Sequence, residues 1–221
     1  MLPPVAPAVM TPSSVRVGVL GSLTLRVDGV DTPFPPGRPG RALGSLLLAG
    51  GRVVSDSRLS DDVWREEQPD DPRAALHTTV ARVRRSLGTA GSLVVRHGHG
   101  YLLDRRSVVV DSDRFLDLVA RARTADTPTG RVGMLDQALG LWRGAAWAEL
   151  AADLAVGEAR RLEEAQLAAR EERAAALLEA GEVQAAVGDL QLLVAEHPLP
   201  IGRQGVIRCA SSTGRALGGP V

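Results

Sequence analysis

Three side chains in the stretch Pro72 to Leu87, PRAALHTTVARVRRSL, have the types and spacing to read a nucleic acid: Thr78, Arg82 and Arg85. At about 100° per residue of an α-helix they share one face. Leu76, Val80, Val83 and Leu87 recur at i, i+4, i+7 and i+11 on nearly the opposite side, a narrow apolar stripe that needs a core. Ala74 and Ala81 keep the outer face slim, and a slim basic face suits the major groove of DNA. Arginines outside an amphipathic helix ordinarily mean only a solvated face. The reading therefore depends on the elements that would present this helix.

Those elements are legible. Asp71 is a good N-cap, Pro72 suits the first helical position, and Gly88 suits a left-handed stop. Upstream, the alternation in VRVGVLGSLTL predicts one or two short strands from Val15 to Leu25 with Gly21 and Ser22 at the turn, continued to Val30 through Asp28 and Gly29. After the Pro and Gly of TPFPPGRPG, a helix beginning near Arg38 buries Leu43, Leu46 and Leu47 and ends at Gly50 and Gly51. Arg52 to Val54 form an extended link, and Ser55 or Asp56 caps a second helix carrying Leu59, Val63 and Trp64. The polar loop REEQPDDP leads into the basic helix. Beyond it, Leu93 to Arg96 and Tyr101 to Leu103 flank HGHG as a hairpin.

Strands, three helices and a terminal hairpin in this order make a winged helix-turn-helix over residues 15–106, whose third helix enters the major groove. The wing tip, Arg96, His97 and His99 beside Gly98 and Gly100, could bring backbone close to phosphates, with Arg105 and Arg106 just beyond. Apart from these, the histidines are His77 and His197, and no acid pair lies near, so no metal is expected.

Composition points the same way. Net charge is zero, but residues 1–110 carry 14 Arg against 10 acidic residues, and residues 111–200 carry 9 against 16. Within the first half, residues 56–71 hold 2 Arg and 7 acids, whereas residues 73–106 hold 7 Arg and 1 acid. Such segregation steers a basic surface toward a polyanion and reserves an acidic one for another partner. All 26 basic residues are arginine, and the lone Cys209 excludes a disulfide framework or thiolate cage. The sequence offers no Gly-rich phosphate loop, nucleophile elbow or metal-spaced histidine set, so neither an enzyme nor a cofactor is expected. Residues 1–14 read as a disordered lead-in, and the apolar runs are too short to span a bilayer, which predicts a cytoplasmic protein.

From Val110 the pattern is helical only. Phe115, Leu118, Val119 and Ala122 mark one helix; Leu135, Leu139 and Trp142 a second; a charged third runs from about Leu154 to Glu179; Val183 to Val194 carry a clean stripe. Antiparallel pairs with short turns predict an all-α, tetratricopeptide-like domain over residues 111–200, an interaction platform.

The segments RALGSLLLAGGRVVSDSRLSDDVWRE, VARVRRSLG and HGHGYLL, followed by DRFLDLVARAR, LGLWRGAAWAEL, RLEEAQLAAREER and LVAEHPL, resemble the Streptomyces antibiotic regulatory protein family over about Val15 to Leu199. The resemblance implies an OmpR-like winged helix joined to a bacterial transcriptional activation domain. It implies activation of transcription, often of secondary-metabolite clusters, by binding promoter direct repeats near the −35 element and contacting RNA polymerase. It places Arg73, Thr78, Arg82 and Arg85 on the recognition helix and Arg96, His97 and His99 on the wing. Asp61, Asp62, Glu66, Glu67 and Asp70 fall in the segment facing polymerase, and a homodimer on DNA is a further expected partner. Ala74 and Ala75 stand where relatives often carry polar residues, which shifts readout toward the remaining side chains or DNA shape.

After Pro200 the Gly-rich sequence through Val221 has no helical periodicity and reads as an irregular tail, the mark of a truncated or frameshifted end. On that reading Val187, Leu190 and Val194 lose their covering helices. The competing function is a protein interaction scaffold with lost or weak DNA binding.

Overall fold

The computed structural model describes residues 14–196. The tail assigned to residues 201–221, and nearly all of the lead-in, lie outside the described residues. The described chain forms two compact units: residues up to Val110 with Trp147–Val156, and Asp111–Ala146 with residues from Gly157 onward.

The first unit opens with an antiparallel β1 (Val15–Gly18) and β2 (Thr24–Val27), then β3 (Val30–Thr32). Asp28 (φ 49°) and Gly29 (φ 83°) are both left-handed, the requirement of a two-residue turn whose twist matches its strands. Helices α1 (Gly37–Leu48), α2 (Asp56–Trp64) and α3 (Pro72–Ser86) follow. The link before α2 is itself a strand, β4 (Val54–Ser55), which pairs with β6 (Gly100–Leu103), so the wing of β5 (Val94–His97) and β6 becomes a three-stranded sheet, order β4-β6-β5.

Two features depart from the sequence reading. Val108–Val110, read only as a short apolar run beyond a domain ending at 106, is strand β7, parallel to β1 at the edge of the first sheet, order β3-β2-β1-β7. Short parallel pairing carries no local signal, because its partner lies some ninety residues away. The second is residues 147–156, assigned by sequence to the helical half. Trp147 N–H donates to the Val19 carbonyl at 2.7 Å, Glu149 accepts from Leu23 N–H at 2.9 Å, and Trp147, Leu150 and Ala155 are buried. Asp153 pairs with Arg41 (2.7 Å) and Arg65 (3.3 Å). This strap forms part of the first core.

The second unit contains α4 (Asp111–Arg123), α5 (Pro128–Leu139), α6 (Val156–Glu179, from Gly157 onward) and α7 (Val183–Glu196). Its core joins Phe115, Val119, Leu135 and Leu162 with a row of alanines on α6. Arg131 pairs with Glu179, and Asp136 with Arg173, so advancing along α5 means retreating along α6: the two are antiparallel. Arg173 also pairs with Asp189 of α7, and Arg123 of α4 with Glu172. Trp142 falls past the end of α5, not on it; its ring meets Phe115 edge-on at 5.4 Å. Gly140 closes the helix first, so Trp142 reaches the core from the loop. Val187, Leu190 and Val194 are half-buried, while Leu192 is 62% exposed.

Ion pairs outside the sites matter chiefly at low pH. Asp104 accepts side-chain and then backbone hydrogen bonds from Arg106, which hold its carboxyl down to about 2. A depressed folded value gives stabilisation that is present above about pH 4 and lost as pH falls through about 2. Melting temperature followed against pH is therefore expected to fall less steeply below about pH 4 for Asp104→Asn than for the parent chain. Arg106 is exposed, so the difference shrinks in high salt.

Candidate nucleic-acid interface

Helix α3 is built as the spacing predicts. Leu76, Val80 and Val83 are buried, with Leu87 at the C-cap, and they seat the helix on the core. The Asp71 carboxylate accepts from Ala74 N–H at 2.9 Å, Pro72 occupies the first turn, and Gly88 follows the cap at φ 55°. Because this cap sets where α3 begins, Asp71→Ala is expected to cost about 0.5–2 kcal/mol, read as a lower melting temperature.

The outer face is open. Arg73, Thr78, Arg82 and Arg85 are exposed, and the three arginines make no side-chain hydrogen bond or ion pair among the described residues. Thr78 Oγ1 donates to the Ala74 carbonyl at 3.0 Å, which leaves the hydroxyl oxygen able to accept. Exposure adds His77 to this surface, a residue the apolar pattern gave no reason to select.

Arg84, between these, behaves differently. It is half-buried and donates through Nε and Nη2 to the Val94 carbonyl at 3.0 and 2.8 Å, latching the end of α3 to the first wing strand. Its place in the run Arg82, Arg84, Arg85 conceals this: one position further round the helix turns a guanidinium from solvent to the sheet.

The wing divides in the same way. His97 and His99 are exposed at its tip, where Gly98 takes φ 55°. Arg96 is only 32% exposed and forms a double hydrogen bond to Asp56, at 2.6 and 2.7 Å, with its guanidinium 4.6 Å from the Tyr101 ring centroid. The Asp56 hydrogen bond raises the Arg96 pKa above its ordinary value. Gly100 is needed for a reason other than approach to phosphate: a Cβ there would lie 2.3 Å from the Val54 carbonyl oxygen, so only glycine lets β4 and β6 pair. The acidic segment is also mixed. Asp61, Glu66, Glu67 and Asp70 are exposed, whereas the Asp62 carboxylate, 12% exposed, accepts from Ser45 Oγ at 2.6 Å and Arg58 Nε at 2.9 Å. Asp62 ties α2 to α1.

Comparison with known proteins supplies the lineage. Residues 39–103 match the family described as transcriptional regulatory protein, C terminal, and residues 110–215 match the bacterial transcriptional activator domain. The chain belongs to the Streptomyces antibiotic regulatory protein family. Among similar members of that family is transcriptional regulator RedD of Streptomyces coelicolor, 33% identical over 201 residues, covering 84% of this chain and 55% of RedD. Regulatory protein DnrI of Streptomyces peucetius is 28% identical over 199 residues, covering 84% of this chain and 73% of DnrI. Mycobacterium tuberculosis transcriptional regulatory protein MoaR1 is 30% identical over 199 residues, 85% of this chain and 63% of its own length. The solved structure of Mycobacterium tuberculosis EmbR in complex with a low affinity phosphopeptide superposes with a TM-score of 0.78 at 25% identity, over 90% of this chain and 54% of that one. The chain thus spans little more than half the length of several relatives it matches. The activator-domain match reaches residue 215, into the stretch that sequence patterning assigns to an irregular tail resembling nothing in the family.

Proposed function

We propose that this antibiotic regulatory protein family member binds double-stranded DNA and activates transcription, controlling a secondary-metabolite pathway. The observation that carries the reading is the outer face of α3, where Thr78, Arg82 and Arg85 are exposed opposite a face locked into the core, with Arg73 exposed in the first turn. α3 enters the major groove, and His97 and His99 at the wing tip approach the adjoining backbone or minor groove. Asp61, Glu66, Glu67 and Asp70 form the acidic surface that meets RNA polymerase, with the helical unit as a second contact. Promoter direct repeats are the DNA partner, occupied by two copies side by side. The protein acts in the cytoplasm without catalysis of its own. In keeping with this, no helix among the described residues is long and apolar enough to cross a membrane.

The relatives' names support regulation of transcription, and the matched winged-helix family supports DNA as the target. The test is selection from a random-sequence duplex library at moderate salt. Enrichment of a repeated half-site supports the reading. Recovery of unselected sequence, with capture lost as salt rises, favours the scaffold alternative.

A further inference from the structure

A two-stranded hairpin of four-residue strands is marginal by itself, so the angle of the wing depends on what ties it down. Here the ties converge on the first turn of α2. β4 pairs with β6 at only two positions, Val54 with Tyr101 and Ser55 with Gly100. Asp56 N–H then donates to the His99 carbonyl at 2.9 Å, and the Asp56 carboxylate grips Arg96. Since Ser55 already supplies the side-chain cap to Arg58 N–H, the Asp56 carboxylate is left to serve the wing. Arg84 adds a tie from α3, with its guanidinium 5.9 Å from the same Tyr101 ring that Arg96 covers.

We propose that Arg96 is a positioning residue: its bidentate pair with Asp56, closed over Tyr101, fixes the wing relative to α2 and α3 and so sets the groove register that helix and wing read together. The inference rests on the DNA-binding reading. It removes Arg96 from the phosphate contacts that its place in the wing suggests, and it makes Asp56, an acidic residue near a polyanion, favourable for binding.

That sign gives the test. Simple electrostatics says that neutralising Asp56 tightens DNA binding; the clamp says that it weakens it. Fluorescence anisotropy of the full chain would use a labelled duplex carrying the selected site, beside a random duplex of equal length. Asp56→Asn is expected to lose about tenfold in affinity for the selected site, with the salt slope unchanged. Arg96→Ala should lose about as much, and the double variant no more than either, because both break one contact. Arg96→Lys keeps the charge but not the fork, so it should not rescue. Equal or tighter binding by Asp56→Asn, or a slope lowered by about 0.9 in Arg96→Ala with Arg96→Lys near normal, overturns the proposal. Melting curves establish that each variant is folded. Should the parent chain bind neither duplex, the DNA-binding reading itself fails. Amide exchange in the free protein then judges the clamp: faster exchange across β5 and β6 in Asp56→Asn supports it, and unchanged exchange overturns it.

Discussion

Replacing Arg82 and Arg85 together with alanine is expected to weaken binding to the selected duplex by about thirtyfold or more while leaving the melting temperature within a degree or two. Both halves of this expectation come from the same geometry. The two guanidiniums are exposed and unpaired among the described residues, so the described fold loses no hydrogen bond or ion pair when they go. Alanine is also the better helix former, which offsets any small packing loss of their stems. On DNA each arginine contributes about 1–3 kcal/mol if it reaches a base edge, and a salt-dependent share if it reaches a phosphate. Arg84→Ala makes the contrasting control. It removes the latch onto Val94, so it should lower stability as well as affinity. A double variant that melted early would mean that the outer face is structural rather than a reading surface.

The second large effect lies far from this face in sequence. Trp147→Ala is expected to destabilise the winged-helix unit by about 3–5 kcal/mol, even though Trp147 follows the second helix of the activator half. Trp147 is 3% exposed, its backbone N–H donates to the Val19 carbonyl, and its neighbour Leu150 packs where a Cβ on Gly44 would sit, 2.5 Å away. The indole Nε1 is buried with no hydrogen-bond partner among the described residues, and Trp147 holds φ 56°, so the native state carries a polar and a backbone cost here. Trp147→Phe removes the orphaned donor and keeps most of the apolar surface, so it should be close to neutral. Urea melts of both variants, read from probes in the first unit, check this. A near-neutral Trp147→Ala would show that the strap is dispensable to the winged helix.

How much of this was legible beforehand depended on the range of the interaction. The α3 stripe, its Asp71 cap and its Gly88 stop are local, and periodicity with cap chemistry was enough to place them. The tight turn at Asp28 and Gly29 was readable for the same reason. The strap and β7 were not, because each is defined by a partner remote in the chain: Val19 for Trp147, β1 for Val108–Val110. At the site, charge and spacing located a basic helix with an open face but could not sort the arginines of helix and wing. Arg82 and Arg85 face solvent, whereas Arg84 and Arg96 are spent within the fold, and the same distinction separates Asp61 from Asp62. Composition registers the charge of a side chain. Only packing shows whether that charge already has a partner.

The central claim is that the open face of α3 binds DNA, and the salt dependence of affinity tests it most directly. Arg82 and Arg85 on that face and Arg73 in the first turn, all exposed and unpaired among the described residues, give an expected slope of log K against log salt near −2.7 if each neutralises one phosphate. In the Arg82→Ala, Arg85→Ala chain the slope should shrink to about −0.9. A parent slope near zero, or one that the double substitution leaves unchanged, would contradict the account.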